Sequence, residues 1–157
     1  MGYATNALKD DHRVIEEIIK VLNTSTERLV QGNEVPLEVF EKILDFIRTF
    51  ADKCHHGKEE DVLFPILEKR GVPKYGGPIG VMLSEHDMGR NFVKNLAEAV
   101  ERYKKGDKTA KKAMIENAKG YTGLLPDHIG KEDNILYQIA DSVLSENEQK
   151  DLLEKFE

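Results

Sequence analysis

A chain of 157 residues with a formal net charge of −6 and one third of its residues charged is the size of one domain with a real core, and a single domain over 1–157 is expected. It carries no basic stripe of the kind that tracks a phosphate backbone, so nucleic acid is not an expected partner. The single cysteine, Cys54, excludes an internal disulfide framework. No apolar run is long enough to span a bilayer. The start, MGYATNALKDDHR, lacks the apolar core of a secretory leader, and a cytoplasmic location without membrane partners is expected.

The pattern is helical throughout. A first helix is predicted from about Thr5 to Gln31, stopped by Gly32-Asn33. A second starts near Pro36, a favoured first-turn residue, and runs to about Arg70, where Gly71 ends it. The Gly- and Pro-rich stretch GVPKYGGPIG (71–80) reads as a loop. A third helix is predicted from about Val81 to Lys105, stopped by Gly106-Asp107, and a fourth from near Lys108 to about Ser142. A short fifth helix is announced by the capping box Ser145-x-x-Glu148. Pro65 and Pro126 fall inside helices and should disturb them locally, with the fourth helix irregular as it approaches His128. The expected architecture is all-α: an up-down-up-down four-helix bundle with a short C-terminal fifth helix.

A bundle buries a stripe of residues spaced alternately three and four apart. The stripe of the first helix reads Leu8, His12, Ile15, Ile19, Leu22, Thr26, Leu29. The second reads Leu44, Ile47, Ala51, His55, Glu59, Val62, Ile66. The third reads Met82, His86, Gly89, Val93, Leu96, Val100, Tyr103, and the fourth Met114, Ala118, Tyr121, Leu125, His128, Glu132, Ile135, Ile139. Six polar residues therefore fall in the seam: His12, His55, Glu59, His86, His128 and Glu132. HHGKEEDVLFP (55–65) and HIGKEDNILYQ (128–138) nearly repeat each other, each with His-x-x-x-Glu and a following aliphatic-aromatic pair. Residues four apart on a helix share a face, so each repeat offers an imidazole and a carboxylate to one point.

A lone seam histidine is usually a hydrogen-bonded core residue, and a lone His-x-x-x-Glu is often a surface pair. The joint pattern points instead to a metal site. Two carboxylates buried without partners would cost several kcal/mol each, and cations supply the partners. Imidazole with carboxylate suits iron, manganese or zinc. Two histidines per metal and two bridging carboxylates give each of two ions four protein ligands, leaving room for a small ligand.

His56 and Glu60 repeat the spacing one residue on, but on a mostly polar face. They are expected at the surface or around the ligands, with His56 kept as an alternative ligand and Glu60 as an alternative to Glu59. Tyr121, in the seam, is expected to be a core tyrosine, with a role beside a metal ligand as the alternative. Cys54 is expected to be buried and inert. Asp11, Glu85 and Asp127 each precede a seam histidine, but sequence neighbours point about a hundred degrees apart on a helix, so all three are expected in solvent.

On DDHR (10–13), HHGKEEDVLFP, GPIGVMLSEHD (77–87) and DHIGKEDNILY (127–137), the chain resembles the hemerythrin-like proteins of the HHE cation-binding family over nearly its whole length. The resemblance implies a non-haem di-iron centre in an up-down bundle, with His12 and His55 on one iron, His86 and His128 on the other, and Glu59 and Glu132 bridging. Oxygen-carrying hemerythrins have a fifth histidine one turn after the third-helix ligand. Here that residue is Arg90, which implies two more nearly equivalent, more open irons. The GPIGVMLSEHD and HxxxEE-x-x-LFP strings are similar to the bacterial di-iron proteins of iron-centre repair. The Cys-containing domain that usually precedes theirs has no counterpart in these residues, so the resemblance is to the di-iron domain alone. The expected function is binding of a small diatomic ligand, oxygen or nitric oxide. Stress-related redox or repair chemistry and iron storage or trafficking are the alternatives.

Overall fold

The computed structural model describes residues 2–157 and contains, among them, helices and no strand. The first rod is α1 (Tyr3–Val30). The second joins α2 (Leu37–Phe46), π-helical turns Ile47–His56 and Glu59–Leu63, and α3 (Phe64–Lys69). The third is α4 (Pro78–Lys104). The fourth joins α5 (Ala110–Lys131), a π-helical turn Glu132–Leu136 and α6 (Tyr137–Val143), and α7 (Glu146–Lys155) follows. The first rod ends at Gly32 and the second at Gly71, both in the left-handed region at φ 84° and 91°, where glycine is strain-free. The capping box at α7 is present: Ser145 Oγ accepts from Glu148 N–H, and the Glu148 carboxylate accepts from Ser145 N–H.

α4 begins at Pro78, inside the stretch expected to be loop, because proline is well placed in the first helical turn and Gly77 ahead of it is extended. Pro65 lies in the first turn of α3, directly after a π-helical turn, and Pro126 lies within α5. In the fourth rod the widened winding therefore comes after His128, at Glu132–Leu136, and not before it.

These π turns shift the buried stripe. In a π turn the backbone bonds run from i to i+5, so the turn holds an extra residue. After Glu59 the buried positions are Leu63 and Leu67 instead of Val62 and Ile66, which are only partly covered. After Glu132 they are Leu136, Tyr137 and Ala140, while Ile135 is 53% exposed. The expected seam thus holds as far as each glutamate and slips by one residue beyond it.

A polar layer divides the interior. One apolar cluster gathers Ile15, Ile47, Val93, Leu125 and their neighbours. A second gathers Leu8, Leu63, Met82 and Leu136. Between them lies a layer of buried polar residues: His12, His55, His56, Glu59, His86, His128 and Glu132.

Candidate metal centre

The two glutamates stand between two pairs of imidazoles. Glu132 Oε1 lies 3.1 Å from His12 Nε2 and 3.2 Å from His128 Nε2. Glu59 Oε1 lies 3.5 Å from His55 Nε2 and 3.4 Å from His86 Nε2. Each carboxylate therefore touches one imidazole of the His12–His55 pair and one of the His86–His128 pair. Within the pairs the ring centroids are 4.6 Å and 4.9 Å apart.

Every one of these four imidazoles is held from behind. His12 Nδ1–H donates to Asp133 at 2.7 Å, His55 to Asp11 at 3.0 Å, His86 to Glu60 at 2.6 Å and His128 to Glu85 at 2.9 Å. An ionised carboxylate only accepts, so the proton sits on Nδ1 and Nε2 turns into the layer, the arrangement that orients metal-bound histidines. Lys58 binds Asp11 at 3.1 Å and Lys131 binds Glu85 at 2.7 Å, repeating the pattern in the two halves.

Asp11 and Glu85 are thus not solvent residues, contrary to expectation. Each points away from the histidine that follows it and toward the histidine of a neighbouring rod, a contact that only helix packing creates. Asp127 is exposed as expected. Glu60 lies on the outer side of His86, while Glu59 is fully buried. Cys54 is exposed, not buried, because one step along the helix separates the solvent face from His55. His56 is not a surface residue: it is 7% exposed and stacks on His86 with centroids 3.7 Å apart and planes 15° from parallel.

Arg90 reaches outward, donating to Asp52 and Glu60 at 2.8 Å each and to Asp87 at 3.1 Å. With His56, Asp52, Gly89 and Tyr121 it lines a cavity of about 130 Å³ that runs in from the surface. Tyr121 belongs to this cavity and to the apolar core. The tyrosine at the polar layer is Tyr137, which the sequence reading passed over. Its hydroxyl donates to Glu59 Oε2 at 2.7 Å and lies 3.4 Å from His12 Nε2, and its ring stacks on His12. The aligned repeats held the signal: Tyr137 answers Phe64, so one half has a phenol where the other has a bare ring.

The donor set fits a cation. His55 Nε2, His86 Nε2, His128 Nε2, Glu59 Oε1 and Glu132 Oε2 are buried and have no hydrogen-bond partner among the described residues. The separations of 3.2–3.5 Å quoted above for His55, His86 and His128 are ion-pair contacts without hydrogen-bond geometry. Each orphaned buried group costs about 1–3 kcal/mol, so five converging on one layer need a common partner. Three groups of ligating atoms lie within 4.8 Å of one another: His12, His55 and Glu132; His56, His86 and His128; and Glu59, His86 and Glu132.

Charge in the layer is divided unequally. Burial pushes Glu132 well above the usual carboxylate range, and the nearby Glu59 charge adds to this. Burial acts on Glu59 in the same sense, but the His55 and His86 imidazoles hold it well below that range. Burial would lower His86, yet the Glu59 carboxylate facing it and its bond to Glu60 raise it to about 9. Burial lowers His56 to about 4, with Asp52 opposing.

The His86 shift has a direct consequence. Its folded-state value lies above the ordinary 6.5, so its contribution to metal-free stability is complete below pH 6.5 and is lost as pH rises through about 9. The shift is worth about 3 kcal/mol. A metal at Nε2 must displace that proton, so zinc titrations should show apparent affinity rising with pH up to about 9, with proton release seen by an indicator dye. Affinity that does not change between pH 6 and 9 would contradict this.

An all-helical protein with an imidazole–carboxylate layer across its core belongs among the metal-binding helical proteins. The chain belongs to the hemerythrin HHE cation-binding domain family, which matches residues 3–140. It is 25% identical over 154 residues to an uncharacterized protein of Mycobacterium tuberculosis strain H37Rv, covering 98% of this chain and 60% of the relative. It is 32% identical over 88 residues to the iron-sulfur cluster repair protein YtfE of Escherichia coli K12, covering 55% of this chain and 40% of that protein. The chain thus spans 60% of the first relative's length and less of the second's.

Proposed function

We propose that this protein holds two non-haem iron ions in the polar layer and binds a small diatomic ligand, oxygen or nitric oxide, there. His12 and His55 would hold one ion, His86 and His128 the other, with Glu59 and Glu132 bridging. The observation that carries this reading is the set of five orphaned donor atoms converging from the second, third and fourth rods, with each glutamate touching an imidazole of both pairs. Family membership supports iron over manganese or zinc. Short connections between the rods support an up-down-up-down order.

When bound, the iron pair supplies reversible one-electron chemistry and positions for a small ligand. The chain's own residues do the rest. Asp11, Glu60, Glu85 and Asp133 fix the imidazole tautomers. Tyr137 holds Glu59 in place through its hydroxyl, leaving Oε1 free. The apolar clusters on either side keep bulk water out of the layer. The cavity beside Arg90, about 130 Å³ and walled in part by His56, has the volume to hold a diatomic molecule at the edge of the layer.

A second reading, chemistry in the repair of iron centres under stress, is favoured by the similarity to YtfE. The optical spectrum of the anaerobically iron-loaded protein separates the two. A ligand-dependent band that appears with oxygen or nitric oxide and vanishes on its removal is the expected result. Rapid, irreversible oxidation favours the second reading, and the absence of any iron-dependent band overturns both.

A further inference from the structure

His56 stands where the repeat calls for an apolar residue. Aligning His55 with His128 places His56 opposite Ile129, which is buried in the apolar core. In the second rod the same slot holds an imidazole packed face to face on His86, with centroids 3.7 Å apart. His56 Nδ1–H donates to Asp52 at 3.2 Å, and Arg90 holds Asp52 from the other side at 2.8 Å. That is the same support the other four imidazoles receive: a carboxylate on Nδ1, itself held by a cation. A ligating nitrogen of His56 lies within 4.8 Å of those of His86 and His128, and these three form a group apart from His12, His55 and Glu132.

We infer that His56 is a fifth imidazole ligand, its ring turning out of the stack on His86 when metal binds so that it joins His86 and His128 on one ion, leaving His12 and His55 on the other. The inference rests on the di-metal reading above and goes beyond it, because it makes the two ions unequal. One would have three imidazoles, the other two, with the bridging glutamates shared. It also gives Arg90 a role: it steadies Asp52 and Glu60, the carboxylates behind His56 and His86. The extra imidazole then comes from the second rod, and Arg90 stands outside the ligand set as its support.

The test is a count of ligated rings in the full chain loaded with cobalt(II), with histidine labelled with ¹⁵N in the ring. All histidines in the sequence are in the layer, so each ligated ring gives one contact-shifted distal nitrogen, whereas an unligated ring gives two nitrogens without a contact shift. Five such signals are expected, falling to four in His56→Gln with two cobalt ions still bound per chain. Four signals in the unsubstituted protein, or five in His56→Gln, would overturn the assignment of His56 and leave the di-metal centre standing. Failure of the unsubstituted protein to take up two cobalt ions would overturn the centre itself, and the inference with it. The count in the unsubstituted protein decides the question even if His56→Gln does not fold.

Discussion

Replacing His55 and His128 together by alanine should abolish the loading of two metal ions per chain while leaving the helical circular dichroism intact. Each substitution removes one imidazole from a different pair, and each removed Nε2 is a buried atom without a hydrogen-bond partner. The metal-free fold loses the Nδ1–H bonds to Asp11 and Glu85 and the His55 contact that helps to hold Glu59 ionised, a local cost within one layer. Asp11 and Glu85 keep their bonds to Lys58 and Lys131, and the apolar clusters above and below the layer are untouched. The metal-bound state loses one imidazole from each of its two proposed pairs. A ligand present at a hundred times its dissociation constant stabilises the state that binds it by about 2.7 kcal/mol. For a domain of this size that raises Tm by roughly 5–10 °C. The parent protein should show this rise on iron loading and the double variant should not. Elemental analysis finding two ions per chain in the variant would remove His55 and His128 from the ligand set.

The two glutamates should respond in opposite ways to the same substitution. Glu132 is pushed toward its neutral form in the metal-free protein, first by burial and then by the charge on Glu59. Glutamine at 132 resembles what is already there, so Glu132→Gln should leave metal-free stability within about 1 kcal/mol of the parent. Glu59 is ionised and faces His55 and His86, and its second oxygen accepts from Tyr137. Glu59→Gln leaves the raised, protonated His86 facing a neutral amide and should cost about 3–5 kcal/mol, the penalty for stranding one member of a buried ion pair. Both variants should lose bridged loading, since an amide is a poor bridge between cations. Urea unfolding of the metal-free variants measures the difference. Equal destabilisation would mean that the negative charge is shared evenly between the two carboxylates.

Much of this arrangement was legible in the sequence because it follows from periodicity. The spacing of three and four placed His12, His55, His86 and His128 among apolar neighbours, and the structure buries all four within the stripes expected of them. The near-repeat of 55–65 and 128–138 marked the two rods that bring a carboxylate with an imidazole. Glycines and Ser145 marked the helix ends to within a few residues, with the early start at Pro78 as the largest departure.

What periodicity missed is what depends on winding and on neighbours. The π turns after Glu59 and Glu132 insert a residue that a fixed helical period does not count. The seam therefore passes from Val62 to Leu63 and from Ile135 to Leu136, and Tyr137 arrives at Glu59. The partners of the histidines come from other rods, so Asp11 and Glu85, which look solvent-facing on their own helices, turn out to support His55 and His128. His56 looked polar-faced for the same reason: its companions Asp52 and Glu60 are hydrophilic, but the face they share packs against the third rod at His86 and Arg90. The sequence alone determined that the chain is helical and that imidazole and carboxylate meet in its interior, because both follow from local spacing along one chain segment at a time. Only the tertiary structure decided which carboxylate supports which imidazole, which tyrosine reaches the layer and that a fifth histidine lies within it. Those are contacts between rods, set by packing and by the local winding of the backbone.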